Sequence, residues 1–400
     1  MMWNINVIPR FALPYGPGDL LAAAAALFRA RPPWPDSFAK VLGKGEKFWT
    51  SSGRQALWLA LKGLDLKPGS GVAVPLFNDL SVPTAVVRAG CRPIFIDLTE
   101  RTLTMDPGSL AAARGQFSAV VAVHLFGQVA DLNQIRQAAG PVPFIEDTVH
   151  APLSRLDGHE VGEFGVASFH SFASTKYWTA GGGGLLVVHD PEVARRVAKE
   201  VQFLKRQSPM DEWKNLLQQV VKAFLFHRPM YGILGLPIRS WAEKRAFLEP
   251  VLSRKQIQRP HAAVALRQAL RFRERVARQR QNSLYLLSLL QGAEGVVLPW
   301  EWPGAAYNYH LFPVLMANLR ERDAVAAAML THGIDTSHLY SDSIDHSRKL
   351  GYQGGCPVAE SVAARMMTLP NYASLSRTDI ERVARAFLQA LRQCRPHPQG

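Results

Sequence analysis

Short apolar runs punctuate the first half of the chain, and stretches of helical spacing separate them. VAVPLF at 72–77, PIFIDL at 93–98, AVVAVHLFG at 119–127 and PFIEDTVHA at 143–151 read as strands. Between and around them, ALWLALKGL after Ser51, SVPTAVVRAG at 81–90 and DLNQIRQAA at 131–139 read as helices with one buried face. The apolar runs are continuous rather than alternating, so both faces of each strand must be covered. This pattern predicts an α/β architecture with a mainly parallel sheet between helices, and in such sheets ligands gather at the carboxyl ends of the strands.

The same pattern divides the chain. Residues 1–260 are expected to form a large domain that opens with an amphipathic helix at 20–28 and carries a helical insert at about 203–252. In the insert, Leu216, Leu217, Val220, Val221, Phe224 and Leu225 keep helical spacing until Pro229, Gly232 and Gly235 break it. Residues 261–400 are expected to hold one long connector helix, 262–290, and a smaller α+β C-terminal domain that ends in a loose tail at 396–400.

Composition narrows the class. Four hundred residues, 48% of them hydrophobic, are enough for sizeable cores. Cys91, Cys356 and Cys394 lie far apart without a CxxC pair, which argues against a disulfide framework and against a metal site. The apolar patch at 20–28 follows Asp19 and lacks a basic start, so it reads as a helix and not a signal peptide. No run of about eighteen uninterrupted apolar residues occurs. A cytoplasmic protein is expected, membrane-associated only through a surface element. The formal charge of +14 favours phosphorylated or otherwise anionic partners. Its densest cluster, 267–280, contains Glu274 and reads as one charged helix face with no reader motif, so nucleic acid is not expected as a partner.

Candidate chemistry lies at strand ends. Lys176 sits between Ser171, Ser174 and Thr175 on one side and four glycines, 181–184, on the other. A primary amine on a short loop, flanked by hydroxyls that can grip a phosphate, suits a Schiff base to pyridoxal 5'-phosphate. In isolation the stretch reads more readily as a solvated lysine before a glycine hinge. Ser51, Ser52, Gly53, Arg54 and Gln55 open a helix whose first N–H groups and positive dipole end would seat a phosphate, although an ordinary serine cap reads the same way. Asp147 ends a strand, where a carboxylate could keep a pyridine nitrogen protonated. His124 and His150 stand near the same strand ends.

In this order, SSGRQALWLALKGL, VAVPLF, AGCRPIFIDL, AVVAVHLFGQVADL, FIEDTVHA, SFASTK and TAGGGG resemble the pyridoxal-phosphate-dependent sugar aminotransferases of the DegT/DnrJ/StrS group. YHLFPVLM at 309–316, HGIDTSHLY at 332–340 and MTLPNYASLS at 367–376 extend the likeness. The resemblance implies PLP fold type I, with a seven-stranded sheet, and a homodimer. It implies transfer of an amino group from an amino acid, glutamate first, to a keto group of a nucleotide-linked sugar or other phosphorylated acceptor, in polysaccharide, lipid or secondary-metabolite biosynthesis.

Carried over by position, Lys176 is the lysine that holds the cofactor and moves protons, and Asp147 is the partner of its ring nitrogen. His150 faces the phenolic oxygen, and Ser171 with the backbone around Gly53, Arg54 and Gln55 binds the phosphate. Where this family offers an aromatic ring to stack on the cofactor, the chain has Asp79, which leaves Phe77 as the candidate ring. The partner-subunit motif has no clear match; the insert is expected to pack against the body or a second subunit, and the sharper alternative is a lid or membrane-surface element whose residues 216–238 meet a lipid-linked or bulky substrate. Asp79 also keeps a rival reading alive, a PLP-fold sensor or scaffold without turnover.

Overall fold

The computed structural model of the chain describes residues 6–32, 38, 42–243 and 251–395. The tail expected at 396–400 lies outside these residues, as does 244–250 of the insert. Seven strands build the main sheet: β1 (Glu46–Thr50), β2 (Gly71–Pro75), β3 (Arg92–Ile96), β4 (Ala119–Val123), β5 (Phe144–Asp147), β6 (Ala167–Ser171) and β7 (Gly184–Val188). Their spatial order is β1-β7-β6-β5-β4-β2-β3. The run from β6 to β3 is parallel, while β7 is antiparallel to both of its neighbours. This is the mainly parallel sheet that the continuous apolar runs demand.

Burial follows position in the sheet. The inner strands β2, β4, β5, β6 and β7 are buried at every residue, whereas the edge strands β1 and β3 each start exposed. Side chains alternate between the two faces as a strand must make them do. Val72, Val74, Val121 and Ile145 join the core beneath α1 (Gly53–Gly63), whereas Ala73, Val120, Ala122 and Phe144 join a second core on the opposite face. The second core also takes in Val314, Met367 and Phe387, so the antiparallel pair Phe312–Leu315 with Met366–Leu369 and the helix Arg377–Cys394 pack onto that side.

Two features differ from the expectation. The first helix is Pro17–Ala26, three residues earlier than its apolar patch, because Pro17 starts it and the Asp19 carboxylate accepts from the Gly16 N–H. The single connector helix is two helices, Arg259–Ala269 and Phe272–Leu290. Asp19, fully buried, holds Gln268 Nε2 at 3.0 Å and Arg271 Nη2 at 2.9 Å across the break. Periodicity misses the break because both halves carry the same spacing.

The insert is helical over Pro209–Leu225 and again over Leu236–Glu243, with a π-helical turn, Tyr231–Gly235, between. One side packs on the body: Glu212 holds Arg259 Nε at 2.8 Å, and buried Tyr231 donates to Asp335 at 2.5 Å. The other side exposes Trp213, Leu217, Val220, Val221 and Phe224.

Candidate functional site

The carboxyl ends of β2, β4, β5 and β6 open on one cavity, the place where parallel sheets seat their ligands. Gly53, Arg54, Asp79, Asp147, His150, Ser171 and Lys176 line it, together with Tyr340. Residues far apart in the chain therefore converge where the parallel sheet predicts.

The floor is a helix N-terminus against a strand end. Ser52 caps α1 by accepting the Gln55 N–H at 3.2 Å, and the first-turn residues Gly53 and Arg54 border the cavity. A Cβ on Gly53 would lie 2.9 Å from the Ser171 Cβ, so only glycine lets the helix approach the end of β6 so closely. Backbone N–H groups at a helix start beside a serine hydroxyl form an anion seat. Gln55 points elsewhere: its side chain takes the Ser51 N–H and donates to the Ser253 and Lys255 carbonyls, bracing the helix against 253–255.

The loop that carries Lys176 is held by its neighbours. Trp178 stacks on Phe272 with ring centroids 4.3 Å apart and donates its indole N–H to Ala265 at 3.0 Å; Tyr177 stacks on His310. The glycines that follow are required by close packing. A Cβ on Gly181 would meet Gln219 of the insert at 2.7 Å, one on Gly182 would meet the His261 ring at 2.5 Å, and one on Gly183 would meet Ile257 at 2.7 Å.

Lys176 Nζ lies 3.2 Å from Asp79 Oδ2, 3.1 Å from His150 Nε2 and 3.4 Å from Tyr340 Oη. Burial works against its charge, but Tyr340, Asp79 and Asp147 outweigh burial and hold the ammonium above its usual range. Asp79 is pulled the other way: burial would raise it, yet Lys176 and the Ser81 hydroxyl and N–H bring it down to about 2.

His150 has a defined proton. The Phe126 N–H donates to its Nδ1 at 3.2 Å, while burial, Lys176 and His310 push the ring well below its ordinary pKa. The imidazole is therefore neutral with its hydrogen on Nε2, the atom that faces Lys176 and Tyr340.

Asp147 and its neighbour Glu146 face opposite sides of β5. Glu146 accepts the N–H groups of Gly162, Phe164 and Gly165 at 2.7–2.8 Å and the His124 Nε2–H at 3.2 Å. His124 in turn accepts the Ala130 N–H through Nδ1, so it is fixed as a structural donor. Asp147 accepts only the Val149 N–H, at 3.0 Å, among the described residues. Burial raises it to about 7, with Val149 and Lys176 opposing and Asp79 adding to the rise. A buried carboxylate with spare acceptors is suited to a protonated ring nitrogen. With the anion seat at Gly53 and Ser171, the Nε2–H of His150 and the amine of Lys176, the set fits pyridoxal phosphate.

Phe77 does not line the cavity. It is fully buried behind it, edge-on to Tyr340 and tilted against Phe126. Tyr340 was not singled out from the sequence. It stacks on Phe126 at 6.1 Å, and both residues hold positive φ, 64° and 59°, a strained backbone that clusters at functional sites. The sequence offered one signal for it, its place at the end of HGIDTSHLY.

Comparison with known proteins gives the family and the fold to which the chain is similar. The model of the DegT/DnrJ/EryC1/StrS aminotransferase family matches residues 34–388. A UDP-N-acetyl-3-dehydro-α-D-glucosamine 3-aminotransferase of Acidithiobacillus ferrooxidans is 29% identical over 349 residues, covering 85% of this chain and 83% of that protein. A dTDP-4-dehydro-2,3,6-trideoxy-D-glucose 4-aminotransferase of Saccharopolyspora spinosa is 28% identical over 354 residues, with 85% and 83% covered. Among solved structures, the aminotransferase TlmJ of Streptoalloteichus hindustanus superposes with a TM-score of 0.77 at 25% identity, over 96% of this chain and 99% of that one.

Proposed function

Because the chain belongs to the DegT/DnrJ/EryC1/StrS aminotransferase family, whose members use pyridoxal phosphate, we propose that it moves an amino group from an amino acid, glutamate first, to a keto group of a nucleotide-linked sugar. The observation that carries this reading is the convergence of Lys176 and Asp147 on one cavity that also holds an anion seat. The two relatives named for nucleotide-sugar substrates motivate the acceptor class.

In this reading Gly53, Arg54 and Ser171 hold the phosphate, and Asp147 sits against the ring nitrogen. His150 would donate its Nε2–H to the phenolic oxygen. When bound, the cofactor supplies an electron sink that makes the bond to the donor's α-hydrogen acidic. The chain would supply the proton traffic: Lys176 Nζ would take a proton from the substrate carbon and return it one position away. Tyr340 and Asp79 hold that amine in place. A homodimer belongs to the same proposal, and so does contact of 216–238 with a lipid surface, motivated by the exposed apolar stripe of the insert. Co-sedimentation with anionic vesicles, lost in Phe224→Asp, tests the lipid contact; wild type left in the supernatant ends it.

The direct test of function is spectroscopic. The loaded protein should lose its yellow colour with glutamate and recover it on addition of a keto-sugar nucleotide. Colour that persists with every amino donor would favour a sensor without turnover.

A further inference from the structure

Position 79 is where the resemblance leads one to expect an aromatic ring, and the chain places a carboxylate there instead. That carboxylate is built into the site. Its Oδ1 accepts the Ser81 N–H at 2.9 Å and the Ser81 hydroxyl, which anchors it at the start of the helix Ser81–Arg88. Its Oδ2 is thereby left to face Lys176 Nζ at 3.2 Å, with the Lys176 side chain 12% exposed and that of Asp79 34% exposed.

The other groups around the amine divide by charge. Asp147 and His150 come from the end of β5, Tyr340 and His310 from the C-terminal segments, and Arg54 from the start of α1. His150 and His310 are neutral, since burial and Lys176 lower both. Asp147 is raised toward its neutral form and Tyr340 is raised by burial. Among these described neighbours, Asp79 is the acid held in its charged form within hydrogen-bond distance of the ammonium.

The hydrogen on His150 Nε2 makes a second point. An ammonium 3.1 Å from that N–H would set two donors against each other, whereas a neutral amine there would accept from it. From its one position Lys176 Nζ reaches both groups, Asp79 Oδ2 at 3.2 Å as partner for the charged amine and His150 Nε2 at 3.1 Å as partner for the neutral one.

We propose that Asp79 is the counter-ion of Lys176, a positioning residue that keeps the amine charged and on the cavity wall and so governs the pH at which it becomes a nucleophile. This rests on the proposed role of Lys176 but is tested apart from it. A carboxylate replacing an aromatic stacking ring thus trades hold on the cofactor ring for control of the lysine's proton.

The experiment is trace labelling of Lys176 with acetic anhydride across pH, in the full-length chain freed of cofactor and read by peptide mass spectrometry. In Asp79→Asn, which keeps an oxygen for Ser81, the midpoint of reactivity should fall by about one pH unit or more, about tenfold faster labelling at a fixed pH below it. Asp79→Glu should restore it. Asp79→Ser, which also suits a helix start, gives the same expected fall if the Asn variant does not fold. In the loaded protein, the pH midpoint of the visible band should move in the same direction. An unchanged midpoint in a folded Asp79→Asn variant overturns the proposal. Pyridoxal phosphate trapped on Lys176 by borohydride reports separately: no trapping with the shift intact sinks the proposed function and leaves the counter-ion standing.

Discussion

Glu146 and Asp147 are adjacent carboxylates on one buried strand, and they have opposite fates. Glu146 meets three backbone N–H groups and a histidine and is wholly satisfied. Asp147 meets one N–H and is left at about 7 by burial. The first ties the loop 162–165 and His124 to the sheet. The second is poorly served by its own fold, as a group must be if its partner is a ligand. The same chemistry one residue along the backbone is structural on one face and functional on the other, and the difference is the supply of donors.

Breaking the structural side should have the largest effect. Glu146→Ala strands the buried N–H groups of Gly162 and Gly165, the half-buried one of Phe164 and His124, at about 1–3 kcal/mol for each buried group left without a partner. A loss of roughly 4 kcal/mol or more in urea unfolding is expected, and a loss below about 1 kcal/mol would contradict the contrast.

Asp147→Asn should act in the opposite sense. Its folded pKa, about 7, lies above the value of 3.8 for a free carboxyl. The wild-type fold therefore has its full contribution from this group below the unfolded value and loses it as pH rises through about 7. Without cofactor, the variant should be more stable than wild type at alkaline pH, on the order of 2–4 kcal/mol, with the gain vanishing in acid. Its hold on pyridoxal phosphate should nevertheless weaken. Thermal melts with and without cofactor across pH check both halves.

Smaller effects separate packing from chemistry elsewhere. Gly182→Ala drives a Cβ into the His261 ring, and a cost of about 1–3 kcal/mol is expected from overpacking. Phe224→Asp, on the exposed side of the insert, should change stability by no more than about 0.5 kcal/mol, as differential scanning calorimetry would show.

The parts of this molecule that the sequence discloses are those that local pattern controls. Continuous apolar runs imply a parallel sheet, a parallel sheet places ligands at strand ends, and Lys176, Asp147, His150 and Ser171 stand at such ends. What escapes is set by direction and distance. Phe77 and Asp79 sit two residues apart in one loop, yet the ring turns into the core while the carboxylate turns to Lys176, 97 residues away. Tyr340 reaches the same amine across 164 residues. The glycines at 181–184 look like a hinge in the sequence, yet 181–183 are instead a packing surface for Gln219, His261 and Ile257. Gln55 sits in the right motif and faces the wrong way.

The central claim is that one amine and one poorly satisfied acid serve the same ring. The most direct measurement is borohydride reduction of the full-length protein with pyridoxal phosphate, followed by peptide mass spectrometry of wild type, Lys176→Ala and Asp147→Asn. The account predicts a pyridoxyl group on Lys176 alone, none in Lys176→Ala, and label at Lys176 only at higher cofactor concentration in Asp147→Asn. Equal labelling of wild type and Lys176→Ala, or no dependence on Asp147, would contradict it.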